Sequence, residues 1–161
     1  MSPKLKRKIR RLKIHFFLIL LLIIPFTNAC SMFRNQLKPH FTRIPKIVTM
    51  QVTAYCSCEK CCGWKLNPNG ESVYAYGPHK GKRKVVGMTA SGTKAVPGTI
   101  AADISIYPLG TIMYIEGYGY GRVEDVGSKI TQQHIDLFFK DHATAMNWGN
   151  RRMKVKVWLP K

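Results

Sequence analysis

From Ile47 onward the chain alternates in character. Val48, Met50, Val52 and Ala54 are separated by Thr49, Gln51 and Thr53, a period of two that predicts a strand with one buried face over Val48–Tyr55. The same reading predicts strands at Thr99–Asp103, Thr111–Ile115, Gly121–Glu124, His134–Phe139 and Arg152–Leu159. In the last of these Met153, Val155, Val157 and Leu159 share one face, and Lys154 and Lys156 take the other. One helix is predicted, His142–Trp148, with Asp141 free to cap its first amide groups and Gly149 able to end it in the left-handed conformation. Residues 63–87 show no period and are rich in Gly, Pro, Lys and Tyr, which predicts a long surface loop. Several short strands with one small helix point to a compact, mainly β barrel rather than a parallel sheet flanked by helices.

The N-terminal pattern is different. An apolar stretch runs from Ile14 to Phe26, broken by His15 and Pro25, and its unbroken part, Phe16–Ile24, falls well short of the ~20 residues that span a bilayer. A basic run precedes it and Thr27-Asn28-Ala29 follows, which is the layout of a signal peptide cleaved near Ala29. Cys30 comes next and raises a lipoprotein reading, although Thr27 stands where a lipobox prefers a Leu-like residue. An uncleaved anchor is the third reading, and all three place the rest outside the cytoplasm. The expected layout is therefore 1–29 signal peptide or anchor, 30–46 a basic linker with Pro39 and Pro45, and 47–161 one folded domain.

Composition agrees with one domain and then qualifies the charge. The chain has 161 residues, 45% of them hydrophobic, so a core can form. Lys and Arg number 26 against 8 acids, a formal charge of +18 that suits an anionic partner. Seven of those bases lie within residues 1–13 and leave +11 on the remainder. Together with the export signal this argues against nucleic acid. An acidic polymer fits better, with the membrane touched only through the N-terminal segment.

Cys56, Cys58, Cys61 and Cys62 form a tight C-x-C-x-x-C-C-G knot. In an oxidising compartment structural disulfides are the default for four thiols. A metal site is the alternative, with His79 and Glu59 as further ligands, although a zinc ribbon normally uses two separated pairs. A redox role for the Cys58–Cys61 pair is the third reading. No cofactor is expected.

Three acids sit in informative settings. Asp103 ends a strand, Asp125 runs into a turn before Gly127, and Asp136 stands inside His134-Ile135-Asp136-Leu137-Phe138. Desolvation in such a strand would raise the pKa of Asp136 and keep a proton on it, which is what general-acid cleavage of a glycosidic bond requires. The competing reading is that these acids bond to turn amides and organise the fold, which suits Asp125 in particular.

The ordered pieces Thr-Ala-Tyr-Cys (53–56), Cys-Cys-Gly (61–63), Gly-Met-Thr-Ala-Ser-Gly-Thr (87–93), Gly-Thr-Ile-Ala-Ala-Asp (98–103), Pro-Leu-Gly-Thr (108–111), Gly-Tyr-Gly (117–119), Glu-Asp-Val-Gly (124–127), His-Ile-Asp-Leu-Phe (134–138) and Trp-Gly (148–149) carry a resemblance. Residues 50–159 resemble the three-aspartate, or 3D, domain family, which is related to the catalytic barrel of membrane-bound lytic transglycosylase A. The resemblance implies a six-stranded double-psi β-barrel acting on peptidoglycan glycan strands. Its three aspartates fall on Asp103, Asp125 and Asp136, with Asp136 implied as the single acid and base of a cleavage that leaves a 1,6-anhydro end. A non-catalytic, expansin-like wall-binding barrel is the alternative. The chain departs from the family at Val126 and Ser128, where Thr and Gly are usual, and at Ile130-Thr131-Gln132, where Ile-Lys-Gly is usual.

Thr89, Ser91 and His134 are candidates for sugar contacts, against a plain turn for the first two and a solvent-facing ring for the third. Trp148 could stack on a sugar but is more simply core. Lys80-Lys82-Arg83-Lys84 could grip wall carboxylates or be a solvated loop.

Overall fold

The computed structural model describes residues 44–161. The readings of residues 1–43, including the leader and Cys30, lie outside the described residues. No helix among the described residues is long and apolar enough to cross a membrane.

Six strands close into a barrel: β1 (Lys46–Tyr55), β4 (Thr99–Ala101), β5 (Ile112–Ile115), β6 (Gly119–Asp125), β7 (His134–Phe138) and β8 (Arg151–Trp158). Their order around the barrel is β1-β7-β4-β6-β5-β8. Two pairs are parallel, β1 with β7 and β4 with β6, and the others are antiparallel. Read outward from the β7–β4 contact, the pairing is the same in both directions, the two-fold pattern of the expected double-psi barrel. The remaining strands, β2 (Trp64–Leu66) and β3 (Ser72–Tyr74), form a separate hairpin. Residues 63–87 are thus not all loop. Three-residue strands are too short to print a period.

The alternation read from the sequence is the alternation of the barrel wall. Met50, Val52, Ile100, Met113, Ile115, Val123, Ile135, Leu137 and Val155 are wholly buried and fill the interior. At ~25 cal/mol per Å2 of apolar surface removed from water, this cluster is the main stabilising element of the fold. Gly121 belongs to the same packing, because a Cβ there would collide with Ile100 and with the Gly98 carbonyl.

Two short helices lie outside the wall. α1 (Glu59–Cys62) follows β1 directly, and Gly63 ends it at φ 57°, with its N–H donating to the Glu59 carbonyl. α2 (His142–Trp148) is capped by Asp141, whose carboxylate accepts from the Thr144 N–H at 2.8 Å. Gly149 does take a positive φ of 69°, but its ψ of −146° is not left-handed helical. It turns the chain straight into β8 instead. Trp148 is buried against Tyr118 and Phe139 with the Arg151 guanidinium over its ring, which makes it core.

Candidate functional site

The outer face of β1, β7, β4 and β6 carries the acids. Asp136 is one residue from Ile135 and Leu137, which point inward, so its side chain points out. In the parallel ladder of β1 and β7, Thr53 is its register partner, and across the antiparallel ladder its partner is Ala101. Ala101 is also the partner of Asp125 in β6. A row Thr53–Asp136–Ala101–Asp125 therefore crosses four strands. The register shifts at Ile100/Ala101: Ile100 pairs with Val123, yet Ala101 pairs with Asp125. That bulge skips Glu124 and sets Asp125 on the row. Two strand spacings separate the acids, about 10 Å of backbone, and the methyl of Ala101 between them leaves the space open.

That space is a cavity of about 380 Å3 with Asp125, Asp136 and Ala101 on its floor. Its walls include Tyr55, the Cys61–Gly63 corner, Tyr74 and Tyr76 of the hairpin region, His79, Lys84 and the turn 126–128. Gly63 fits only as glycine, since its φ is positive and a Cβ would strike the Tyr76 ring. Lys84 lies over the Tyr74 ring at 4.4 Å, so one member of the basic run does reach the cavity. Lys80, Lys82 and Arg83 are exposed.

The two acids are held differently. Asp125 accepts from the Tyr55 hydroxyl at 2.9 Å, the Ala90 N–H at 3.0 Å and the Val126 N–H at 2.9 Å. Burial, then the adjacent Asp125 charge, push the Tyr55 hydroxyl well above the ordinary tyrosine range, so it stays a donor. Asp136 accepts one side-chain hydrogen bond, from the Thr53 hydroxyl at 2.8 Å. Burial raises its pKa; Thr53 and His134 pull against that, and Asp125 adds to it.

His134 shares the Asp136 face, as its spacing predicts, but it is not bonded to Asp136. Its Nε2 is 3.0 Å from Thr53 Oγ1, and its Nδ1 is 3.2 Å from the Lys129 carbonyl. Thr53 has a single hydroxyl proton. When that proton goes to Asp136, the His134 Nε2–H must donate to Thr53. Asp103 is placed apart from the cavity lining. It accepts from the Ser105 hydroxyl and the Gln132 and Ser105 N–H groups, which hold its carboxyl below the ordinary value. Thr89 and Ser91 are turned into their own loop with Thr93, each hydroxyl about 3.0 Å from its neighbours, and neither lines the cavity.

The four cysteines after β1 are free thiols. Cys56, Cys58 and Cys61 gather around His142 Nδ1, while Cys62 turns away and donates to the Cys56 carbonyl. His79 and Glu59 are not in that group. His142 was legible only as the first residue of a helix, more than 80 positions from the thiols. Thr53 and Tyr55 were legible as part of a motif, but their partners depend on the parallel register of β1 and β7, which no local pattern reveals.

Residues 98–160 match the family described as 3D domain. The match takes in the second half of the barrel domain and is a likeness to that family. Asp103, Asp125 and Asp136 lie within the match, whereas Thr53, Tyr55 and the cysteines precede it. The chain is 32% identical over 120 residues to the putative cell wall shaping protein YabE of Bacillus subtilis, covering 70% of this chain and 23% of that protein. It is 36% identical over 77 residues to the cell wall-binding protein YocH of the same organism, covering 45% of this chain and 27% of that one. The chain thus spans about a quarter of the length of these curated relatives. Among solved structures it is similar to MltA from Escherichia coli, with 23% identity, a TM-score of 0.37, and coverage of 45% of this chain and 28% of that one. Within the matched residues the departures at 126, 128 and 132 have visible outcomes. Val126 and Ser128 line the cavity rim. Gln132 keeps a positive φ of 53°, the one non-glycine residue to do so among those described, and Asp103 pins its N–H at 2.9 Å.

Proposed function

We propose that this domain acts outside the cytoplasm on peptidoglycan and cleaves the bond between N-acetylmuramic acid and N-acetylglucosamine. The observation that carries the reading is Asp136: a carboxyl raised by burial, with one hydrogen-bond donor, opening onto a cavity that it shares with a second acid. The named relatives, one described as wall-shaping and one as wall-binding, support the substrate. Residues 1–29 would export or anchor the chain, and 30–46 would tether the barrel to the wall side.

In this scheme Asp136 donates its proton to the bridging oxygen. The C1–O bond breaks, the glucosamine 4-hydroxyl leaves, and positive charge spreads over C1 and the ring oxygen of the muramyl sugar. The muramyl 6-hydroxyl attacks C1 and closes a 1,6-anhydro ring. Its proton returns to Asp136, so the carboxyl ends as it began and no water is consumed. Thr53 and His134 hold the carboxylate between the two steps. Asp125, fixed by three donors, supplies negative charge opposite the developing cation. Asp103 acts at a distance by fixing the turn before β7. Lys84 at the rim suits an acidic wall polymer or peptide stem.

Incubation of the protein with purified sacculi tests this. Soluble 1,6-anhydromuropeptides from the wild-type chain, absent with Asp136→Asn, are expected. Cosedimentation with sacculi and no soluble product would leave the wall-binding barrel as the function.

A further inference from the structure

The thiol cluster is independent of the acid cavity's chemistry and has a geometry of its own. The Sγ atoms of Cys56 and Cys61 are 3.8 Å apart. His142 Nδ1 lies 4.0 Å from Cys56 Sγ, 3.5 Å from Cys58 Sγ and 3.4 Å from Cys61 Sγ. All four ligand atoms fall within 4.8 Å of one another. A disulfide needs its sulfurs about 2.05 Å apart. A tetrahedral zinc ion, with Zn–S about 2.3 Å and Zn–N about 2.0 Å, sets its sulfurs about 3.8 Å apart and its S–N pairs about 3.5 Å apart. The observed spacings follow the second pattern.

The fold explains why these four meet. β1 ends at Tyr55 and delivers Cys56 and Cys58 on an extended corner, and one turn of α1 brings Cys61 back over them. β1 and β7 run parallel, so the segment after β7 leaves at the same end of the barrel, and His142 opens α2 there. Asp141 caps that helix and leaves the imidazole free of the capping role. The fourth cysteine is excluded, because its S–H faces the Cys56 carbonyl at 3.2 Å.

We propose that Cys56, Cys58, Cys61 and His142 Nδ1 bind one zinc ion as a closed, structural Cys3His site. With all four positions taken by protein, no place remains for a reacting water, so the ion staples rather than catalyses. It ties the corner after β1 to α2. That corner carries Cys61, Cys62 and Gly63, one wall of the acid cavity. The ion therefore holds the wall of a site whose chemistry lies elsewhere, and its presence does not depend on the glycan reading.

The test is metal content of the full-length chain, purified with added zinc and dialysed. One zinc per chain is expected by elemental analysis. Cobalt exchanged into the protein should give thiolate-to-metal charge transfer and the intense visible bands of a tetrahedral centre. Cys62→Ser should keep one equivalent and the same cobalt spectrum, whereas Cys58→Ser and His142→Ala should each lose most of the bound metal. Should those two variants fail to fold, the wild-type and Cys62→Ser cobalt spectra with thiol alkylation under denaturing conditions still decide. Four alkylatable thiols at residues 56–62 under denaturing conditions, three of them shielded in the folded chain until a chelator is added, support the site. Two disulfides within 56–62, no retained zinc in the wild-type chain, or loss of metal in Cys62→Ser would overturn it.

Discussion

Asp125 and Asp136 face one cavity across a single alanine, and their surroundings are opposite. Asp125 sits at the end of its strand among three donors, two of them backbone amides that cannot turn away. Asp136 sits mid-strand with one hydroxyl donor and burial against it. Desolvation favours the neutral form of a carboxyl, and that acts on Asp136. The same residue type on adjoining ladders is thus set up as a fixed acceptor in one place and as a proton carrier in the other. The division of labour comes from loop amides and strand position, not from residue identity.

The sharpest break of that comparison is Asp136→Asn. Release of anhydromuropeptides should fall about a hundred- to ten-thousand-fold, the usual worth of a general acid, as read by mass spectrometry of the soluble fraction. The same variant should melt higher at neutral pH. The folded chain holds the Asp136 proton above the ordinary carboxylate value while the unfolded chain has already lost it, so stability falls as pH rises through that window and stays reduced above it. Asparagine removes the dependence. Thermal melts of both proteins across that range, if parallel, would contradict the raised pKa.

Asp125→Ala should shift stability the other way. It strands the buried Tyr55 hydroxyl, while the exposed Ala90 and Val126 amides turn to water, at a cost of about 1 kcal/mol, measurable by urea unfolding. A variant as stable as the wild type would mean that those donors find other partners and that the contrast between the acids is superficial. Thr53→Val is a finer probe. Its hydroxyl pulls the Asp136 pKa down, so its loss should carry the alkaline limb of the rate profile to higher pH. An unmoved limb would remove Thr53 from the account. The smallest effect belongs to Gln132→Gly. Relief of a left-handed non-glycine backbone, partly offset by glycine's greater freedom when unfolded, should stabilise by about 0.5 kcal/mol without changing the rate.

Much of this was readable in advance, for physical reasons. Period-two patterning at Val48–Tyr55 and Arg152–Leu159 reports a wall with one wet side, and it located the barrel strands to within a residue or two. The Asp141 cap and the helix to Trp148 follow from local rules. Asp136 stood out because a carboxylate in an apolar run must be accounted for. The rest is non-local. Thr89 and Ser91 look like sugar ligands in sequence, yet their hydroxyls satisfy one another within a turn. Asp103 looks equal to the other two acids, and only the chain path shows it fastening Gln132 instead of lining the cavity. His142 meets the thiols because two parallel strands finish side by side, a fact about topology that spacing along the chain does not carry.

The irregularity between Ile100 and Ala101 has a consequence for how such a cavity can change. Glu124 and Asp125 are adjacent acids, and the mismatch in the ladder decides which one looks across at Asp136. Glu124 is engaged elsewhere, with the Thr99 hydroxyl and Arg122. Loss of a single residue from this stretch would keep the barrel's interior nearly intact while exchanging a short anchored acid for a longer, differently tethered one. The scaffold can therefore retune its chemistry by a one-codon slip, leaving the packed inside of the barrel untouched.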